Sequence, residues 1–312
     1  MNATDADAPD LSSTDVPGSA PLPPVALVLG GATGMLGQAL TRAAEAKGWT
    51  VRTLGREDGP VTSPDWLEAR IADLNPRYVF NAVAYTAVDD AEEHADEAYA
   101  VNKSFPALLG RIVRGSSVRL IHYGTDFVFN GKKRTPYVED DPTDPLSVYG
   151  ASKLAGEQAL LTAAPDNACV LRSAWLFGPG RKNFVSTILR LAASSPRLTV
   201  VHDQVGSPTF TADLAAMSLA LAEAEATGVV HAANGGQASW CELACEAVSL
   251  ANVDSLVQPI TSEQWPQKAR RPTYSVLDTG RLTRLTGIKP RPWPQALRDY
   301  IFQSFAAGTE AH

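Results

Sequence analysis

The sequence predicts an α/β fold: a doubly wound, Rossmann-like parallel sheet with a smaller carboxy-terminal lobe. Three observations carry that prediction. Short apolar runs alternate with amphipathic stretches from residue 25 onward, and the first apolar run ends in a glycine-rich turn. The stretches with chemical character then follow apolar runs, which places them at the carboxyl edge of one sheet.

Val25–Leu29 reads as a buried parallel strand, since its apolar residues run unbroken into Gly30. Met35–Lys47 reads as a helix with Leu36, Leu40, Ala43 and Ala44 on one face and Gly48 as its stop. Thr50–Leu54 is the second strand. Ser63-Pro64 opens a second helix, serine as cap and proline in the first turn, reaching Leu74. Tyr78–Val83 is a third strand, Ala91–Arg114 a long helical region, and Val118–Tyr123 a fourth strand. Asn130–Pro145, with three prolines, three aspartates and a glycine, is a surface loop leading into a helix around Tyr149. Ala168–Arg172 is strand-like, and Phe184–Ala193 and Asp213–Glu225 are helix-like. The chain divides into an acidic tail at 1–24, a dinucleotide-binding domain at 25–170, and a substrate-binding lobe at 171–304 interleaved with the last sheet strands.

With 312 residues, 45% hydrophobic and 20% charged, the chain can bury a large core. The first 24 residues hold Asp5, Asp7, Asp10 and Asp15 and no lysine or arginine, so this segment is expected to be disordered. It lacks the basic start and apolar stretch of a signal peptide. No membrane-spanning run is present, and the mildly acidic body argues against a nucleic-acid partner. Cys169, Cys241 and Cys245 make no disulfide framework; Cys241 and Cys245, which could share a helix face, read as small core residues, and a reduced, cytoplasmic compartment fits. His94, His122, His202, His231 and His312 show no paired ligand spacing, so no metal site is expected.

The turn after the first strand is Gly31-Ala-Thr33-Gly34-Met35-Leu36-Gly37. A strand before it and a helix after it are the context that dinucleotide binding requires. The glycines let the backbone approach a pyrophosphate, and the helix start offers it N–H donors and positive partial charge. Arg56, just past the second strand, suits a 2′-phosphate, whereas Glu57 and Asp58 point the other way. NADPH is therefore the expected donor, with NADH the alternative.

Tyr149 and Lys153 are four residues apart, hence on one helix face. An ammonium beside a phenol favours the phenolate and lowers its pKa, tuning it to protonate a carbonyl oxygen. Thr125, at the end of the fourth strand, is the expected hydrogen-bond donor to that carbonyl. Asn102 is a candidate for a water chain behind the lysine or, equally, a solvated helix residue.

Together these residues resemble the extended short-chain dehydrogenases, and among them the dTDP-4-dehydrorhamnose reductase family. The resemblance runs from Val25 to about Tyr300, through Gly31–Gly37, Ala84–Glu92, Ala100–Asn102, Gly124–Gly131, Pro145–Glu157, Arg172–Gly178, Asp203–Thr209, Arg271-Pro272 and Ser275–Thr279. It implies a catalytic set of Thr125, Tyr149 and Lys153. It implies that Ala82, Val83, Ala84 and Thr86 line the cofactor, and that Thr86, Asp126, Phe127 and Trp175 shape the sugar pocket. Asn183 and Arg271 would hold a nucleotide diphosphate. Trp175 has a competing place in the core of the lobe.

Departures from the family pattern are Gly124 for serine, Phe127 for tyrosine, Tyr274 for asparagine and Pro60 for an acidic residue. Some members carry a glutamate where this chain has Ala39, in a magnesium-bridged dimer, so no magnesium requirement is expected. The resemblance implies an NADPH-dependent reductase of the C4 ketone of a dTDP-4-keto-6-deoxyhexose, as monomer or homodimer. The rhamnose precursor is the first substrate implied. Phe127 and Tyr274 stand where sugar hydroxyls should be read, which favours a more deoxygenated sugar as the alternative. Other readings are an epimerase or dehydratase with tightly held NAD, and a non-catalytic NADP-binding regulatory subunit. Intact Thr125, Tyr149 and Lys153 argue against the last.

Overall fold

The computed structural model describes residues 22–306 except Pro266; up to residue 21 the expected acidic tail lies outside the described residues. Six strands form one sheet: β1 (Val25–Leu29), β2 (Thr50–Leu54), β3 (Tyr78–Asn81), β4 (Arg119–Thr125), β5 (Ala168–Ser173) and the strand Gly228–His231. All pair in parallel, with β1 between β2 and β3 and the order continuing through β4 and β5 to Gly228–His231. The chain reverses its winding between β1 and β3, and the crevice at a parallel sheet's carboxyl edge opens there.

Both sheet faces are apolar and covered. One face packs Ala26, Val28, Phe80 and Ile121 against Leu36 and Leu40 of α1 (Met35–Ala46). The other packs Leu27, Val79 and Leu120 against Leu67 of α2 (Pro64–Leu74). Ser63 stands at the N-cap of α2 but makes no side-chain cap bond there; Pro64 opens the helix and left-handed Asn75 closes it.

The helical region expected over Ala91–Arg114 is made of several pieces. A 3₁₀ turn (Asp90–Glu92) and α3 (Ala95–Tyr99) are followed by a π-turn at Ala100–Ser104, then α4 (Phe105–Val113). Pro106 explains the π-turn: it has no N–H to donate to the Asn102 carbonyl four residues back. β3 stops at Asn81 rather than Val83, because the Asn81 side-chain oxygen takes the Val83 N–H at 3.2 Å. β4 runs on to Thr125, since Gly124 and Thr125 pair with Arg172 and Ser173 of β5.

The helix carrying Tyr149 is α5 (Val148–Ala163), capped by Ser147, whose hydroxyl accepts from the Gly150 N–H. Beyond β5, α6 (Phe184–Ala192) and α8 (Trp240–Leu250) build a lobe, while α7 (Thr211–Glu223) returns to flank the sheet with Leu214 and Met217. The lobe has its own core around Phe177, Phe210, Leu243 and Tyr300. The cleft between lobe and sheet edge contains the chemistry.

Candidate active site

The sheet's carboxyl edge collects the candidate residues in three neighbouring segments. After β1, the Gly30 N–H is held by the Leu54 carbonyl at 2.8 Å, and α1 begins immediately. A Cβ on Gly37 would stand 2.3 Å from the Gly30 carbonyl oxygen, so only glycine lets the helix sit this close to the turn. The first turn of α1 has no side-chain cap and no acidic residue, so its N–H groups face outward unneutralised. That is the donor set a pyrophosphate needs, and Gly31, Thr33, Gly34, Met35, Leu36 and Gly37 would hold it. Arg56 is exposed beyond β2, where it could reach a 2′-phosphate.

After β3, the segment Ala82 to Thr86 runs along the same edge, with Thr86 exposed to the cleft. Asn102 fixes this segment. It is 1% exposed, accepts from the Tyr85 N–H at 2.9 Å, and donates to the Tyr85 carbonyl at 3.1 Å and to Ser152 Oγ at 3.0 Å. It is thus not a solvated helix residue: it ties the segment after β3 to α5.

After β4 come the candidate proton donor and the residues around it. Thr125 caps a short turn, its hydroxyl accepting from the Phe127 N–H at 3.2 Å, and lines the cleft with Tyr149. Burial pushes the Tyr149 phenol up to about 12, while a hydrogen bond with Thr125 pulls it down and the carboxylates of Asp126 and Glu157 push it further up. The expected lowering by Lys153 is therefore not the governing effect in the ligand-free protein. The Lys153 ammonium donates instead to the Tyr123 carbonyl. Burial draws the lysine down to about 8, with Glu157 opposing.

Asp126 is buried and pushed up to about 7 by that burial, against hydrogen bonds from Ser275 at 2.5 Å and from Thr125. Arg271 reaches the cleft from the lobe and chelates Asp89, Nη1 to Oδ1 at 3.0 Å and Nη2 to Oδ2 at 2.8 Å.

A cavity of roughly 460 Å³ spans these groups, a size that suits a small-molecule ligand. Thr86, Thr125, Asp126, Phe127, Tyr149, Trp175 and Arg271 all line it. Phe127 meets the Tyr149 ring edge-on at 5.7 Å. Trp175 adopts a left-handed backbone, φ 49°, and lies flat on Trp240 with ring centroids 3.4 Å apart. It both lines the cavity and packs against the lobe core.

Two residues sit elsewhere than their sequence roles suggest. Asn183 caps α6, accepting from Ser186 N–H at 3.1 Å and donating to the Gly178 carbonyl at 2.9 Å and the Tyr300 hydroxyl at 3.1 Å. Those bonds engage the side chain within the lobe, and its amide also approaches Met35 Sδ at 3.9 Å. Tyr274 turns into a buried cluster with Val128, Phe129 and Tyr137, its hydroxyl donating to Gln237 at 3.1 Å. Of the two departures expected to read the sugar, only Phe127 faces the cavity.

Sequence reasoning missed Trp240, Ser275, Asp89 and Glu157. Ser275, Asp89 and Glu157 lie inside matching stretches and could have been read from them. Trp240 carries no local signal, because only the tertiary fold brings α8 to the cleft.

The family described as RmlD substrate binding domain matches residues 25–305. A probable dTDP-4,6-dihydroxy-2-methyloxan-3-one 4-ketoreductase of Streptomyces antibioticus is 43% identical over 281 residues, covering 89% of this chain and 95% of its own. A dTDP-4-dehydrorhamnose reductase of Streptomyces griseus is 40% identical over 286 residues, covering 89% and 94%. The crystal structure of dTDP-4-dehydrorhamnose reductase from Bacillus anthracis in complex with NADP superposes with a TM-score of 0.86 at 30% identity, covering 90% of this chain and 100% of that one. With the matched family spanning sheet, cleft and lobe alike, the chain belongs to the dTDP-4-dehydrorhamnose reductase family, that of the RmlD substrate binding domain.

Proposed function

We propose that this protein is an NADPH-dependent reductase of the C4 ketone of a dTDP-4-keto-6-deoxyhexose, converting dTDP-4-dehydro-L-rhamnose to dTDP-L-rhamnose. The observation that supports it best is the convergence of Thr125, Tyr149, Asp126 and Arg271 on one cavity beside the glycine turn. A bound nicotinamide supplies the hydride. The chain supplies the rest: Tyr149 gives its proton to the ketone oxygen, and the Thr125 hydroxyl hydrogen-bonds that oxygen as negative charge develops. Burial keeps the Tyr149 phenol protonated across the neutral range, the state a proton donor needs. Lys153, Arg56 and the first turn of α1 are the residues for the nicotinamide ribose, 2′-phosphate and pyrophosphate. Arg271 lines the cavity and is the cation suited to the substrate diphosphate, which would have to share it with Asp89.

A second reading, a more deoxygenated dTDP-sugar, is favoured by Phe127 in the cavity wall and by the name of the Streptomyces antibioticus relative. Comparing kcat/KM for the rhamnose precursor and its 2-deoxy analogue decides between them. Higher efficiency with the rhamnose precursor supports the first reading; higher efficiency with the analogue replaces it with the second. Hydride transfer to neither would overturn both.

A further inference from the structure

We propose that Ser275 is a positioning residue of the active site, which anchors Asp126 so that the Thr125 hydroxyl stays free to turn to the substrate ketone. This role rests on the reductase reading above. Ser275 lies 149 positions beyond Asp126 in the chain, yet its hydroxyl donates to Asp126 Oδ2 at 2.5 Å. Thr125 donates to the other oxygen, Oδ1, at 3.3 Å. Ser275, Asp126 and Thr125 are 1%, 2% and 5% exposed, so water competes with neither bond.

The two bonds differ in kind. The Ser275 contact has the length of a charge-assisted O–H···O bond, whereas 3.3 Å lies beyond the ordinary O–H···O range. Thr125 therefore keeps its proton only loosely on Asp126. Its oxygen also accepts the Phe127 N–H at 3.2 Å, which fixes the oxygen and leaves the proton able to swing to a ligand. A buried carboxylate draws on every donor in reach. Without Ser275, Thr125 would be the hydroxyl left to Asp126, and its proton would be drawn away from the ketone.

Backbone bonds hold Ser275 from two sides. Its N–H donates to the Val205 carbonyl at 2.8 Å, and next to it the Tyr137 N–H donates to the Val276 carbonyl at 2.7 Å. Tyr274, Val276 and Leu277 belong to a buried apolar cluster, so packing alone gives no reason for a hydroxyl between them. The charged groups nearby are engaged elsewhere. Lys153 donates to the Tyr123 carbonyl, Arg172 pairs with Glu157, and Arg271 pairs with Asp89. His231 is buried and neutral, Tyr149 faces Asp126 as a protonated phenol, and the Tyr274 hydroxyl donates to Gln237. Among the described residues no lysine or arginine pairs with Asp126, which leaves Ser275 as its short side-chain bond.

The test is a double-mutant cycle of Ser275→Ala and Asp126→Asn, read by NADPH-dependent turnover of dTDP-4-dehydro-L-rhamnose. Beside it, the Asp126 carboxyl carbon is titrated by NMR in the ligand-free full chain, assigned with Asp126→Asn. Ser275→Ala should lower kcat about tenfold, a part of the loss that follows removal of an oxyanion donor itself, with both KM values kept within about twofold. In the Asp126→Asn background the same change should cost less than about twofold, because its route to Thr125 is already gone. The Asp126 midpoint should rise by about half a pH unit or more in Ser275→Ala, since the lost bond favoured the ionised form. An unchanged kcat, an equal loss in both backgrounds, or an unmoved midpoint would each overturn the proposal. The titration needs no substrate, so absence of turnover in wild type, which sinks the reductase reading, is distinct from failure of this one.

Discussion

Arg271 grips Asp89 with both terminal nitrogens, at 3.0 Å and 2.8 Å, across the mouth of the cleft. The pair joins the segment after β3 to the loop that returns from the lobe, and Lys268 repeats the pattern on Glu93 at 2.6 Å. Asp89 is held below the usual carboxylate range by the Arg271 guanidinium, and the arginine so held lines the cavity. Arg271→Ala is expected to raise KM for the dTDP-sugar about tenfold or more while leaving KM for NADPH unchanged, since one charge-assisted contact is worth about 1.5–3 kcal/mol. Arg271→Lys recovers little of this, because a point charge cannot chelate a carboxylate and meet a phosphate together. Steady-state kinetics against both substrates checks it.

Arg56 is exposed beyond β2 and is the cation suited to a 2′-phosphate there. Arg56→Ala should cut kcat/KM for NADPH about tenfold and leave that for NADH unaltered. Equal losses with both cofactors would remove Arg56 from the cofactor assignment.

Asp126 gives a stability prediction with a definite sign. Burial raises its folded pKa from 3.8 to about 7, so the protein favours its protonated form. The stability this contributes is present below the unfolded pKa and is lost as pH rises through about 7. Asp126→Asn should therefore match wild type near pH 4, and exceed it by on the order of 3 kcal/mol at pH 8. Denaturant titrations of both proteins at the two pH values measure the difference. The same change should lower kcat, since it removes a carboxyl beside Thr125.

Trp175 fits because residue 206 has no side chain: a Cβ on Gly206 would stand 2.5 Å from the indole. Gly206→Ala must displace the ring from its stack on Trp240. We expect changed tryptophan emission and KM for the dTDP-sugar raised several-fold, with NADPH binding unaltered. Unchanged emission would show that the stack absorbs the methyl group.

Much of this was legible in the chain. Alternating apolar and amphipathic runs placed β1, α1, β2 and α2 within a residue or so, because their patterns are local. The glycine turn, Thr125, Tyr149 and Lys153 were legible for the same reason: chemistry at a sheet edge needs fixed residue types at fixed spacing. Pro106 already signalled the break that makes the π-turn, although hydrophobic periodicity ran through it. Asn183 and Tyr274 were harder, since an asparagine can cap a helix or face a ligand and only the tertiary fold decides. Glu157 closes the Pro145–Glu157 stretch, but its ion pair with Arg172 of β5 was hidden because only folding brings the two together.

The central claim is that Tyr149 delivers the proton in an NADPH-dependent ketone reduction. It is tested most directly by following NADPH absorbance with dTDP-4-dehydro-L-rhamnose for wild type and Tyr149→Phe. The account predicts turnover by wild type and a loss of about a hundredfold or more in kcat for the variant, with NADPH affinity kept. Wild-type rates in Tyr149→Phe would contradict it.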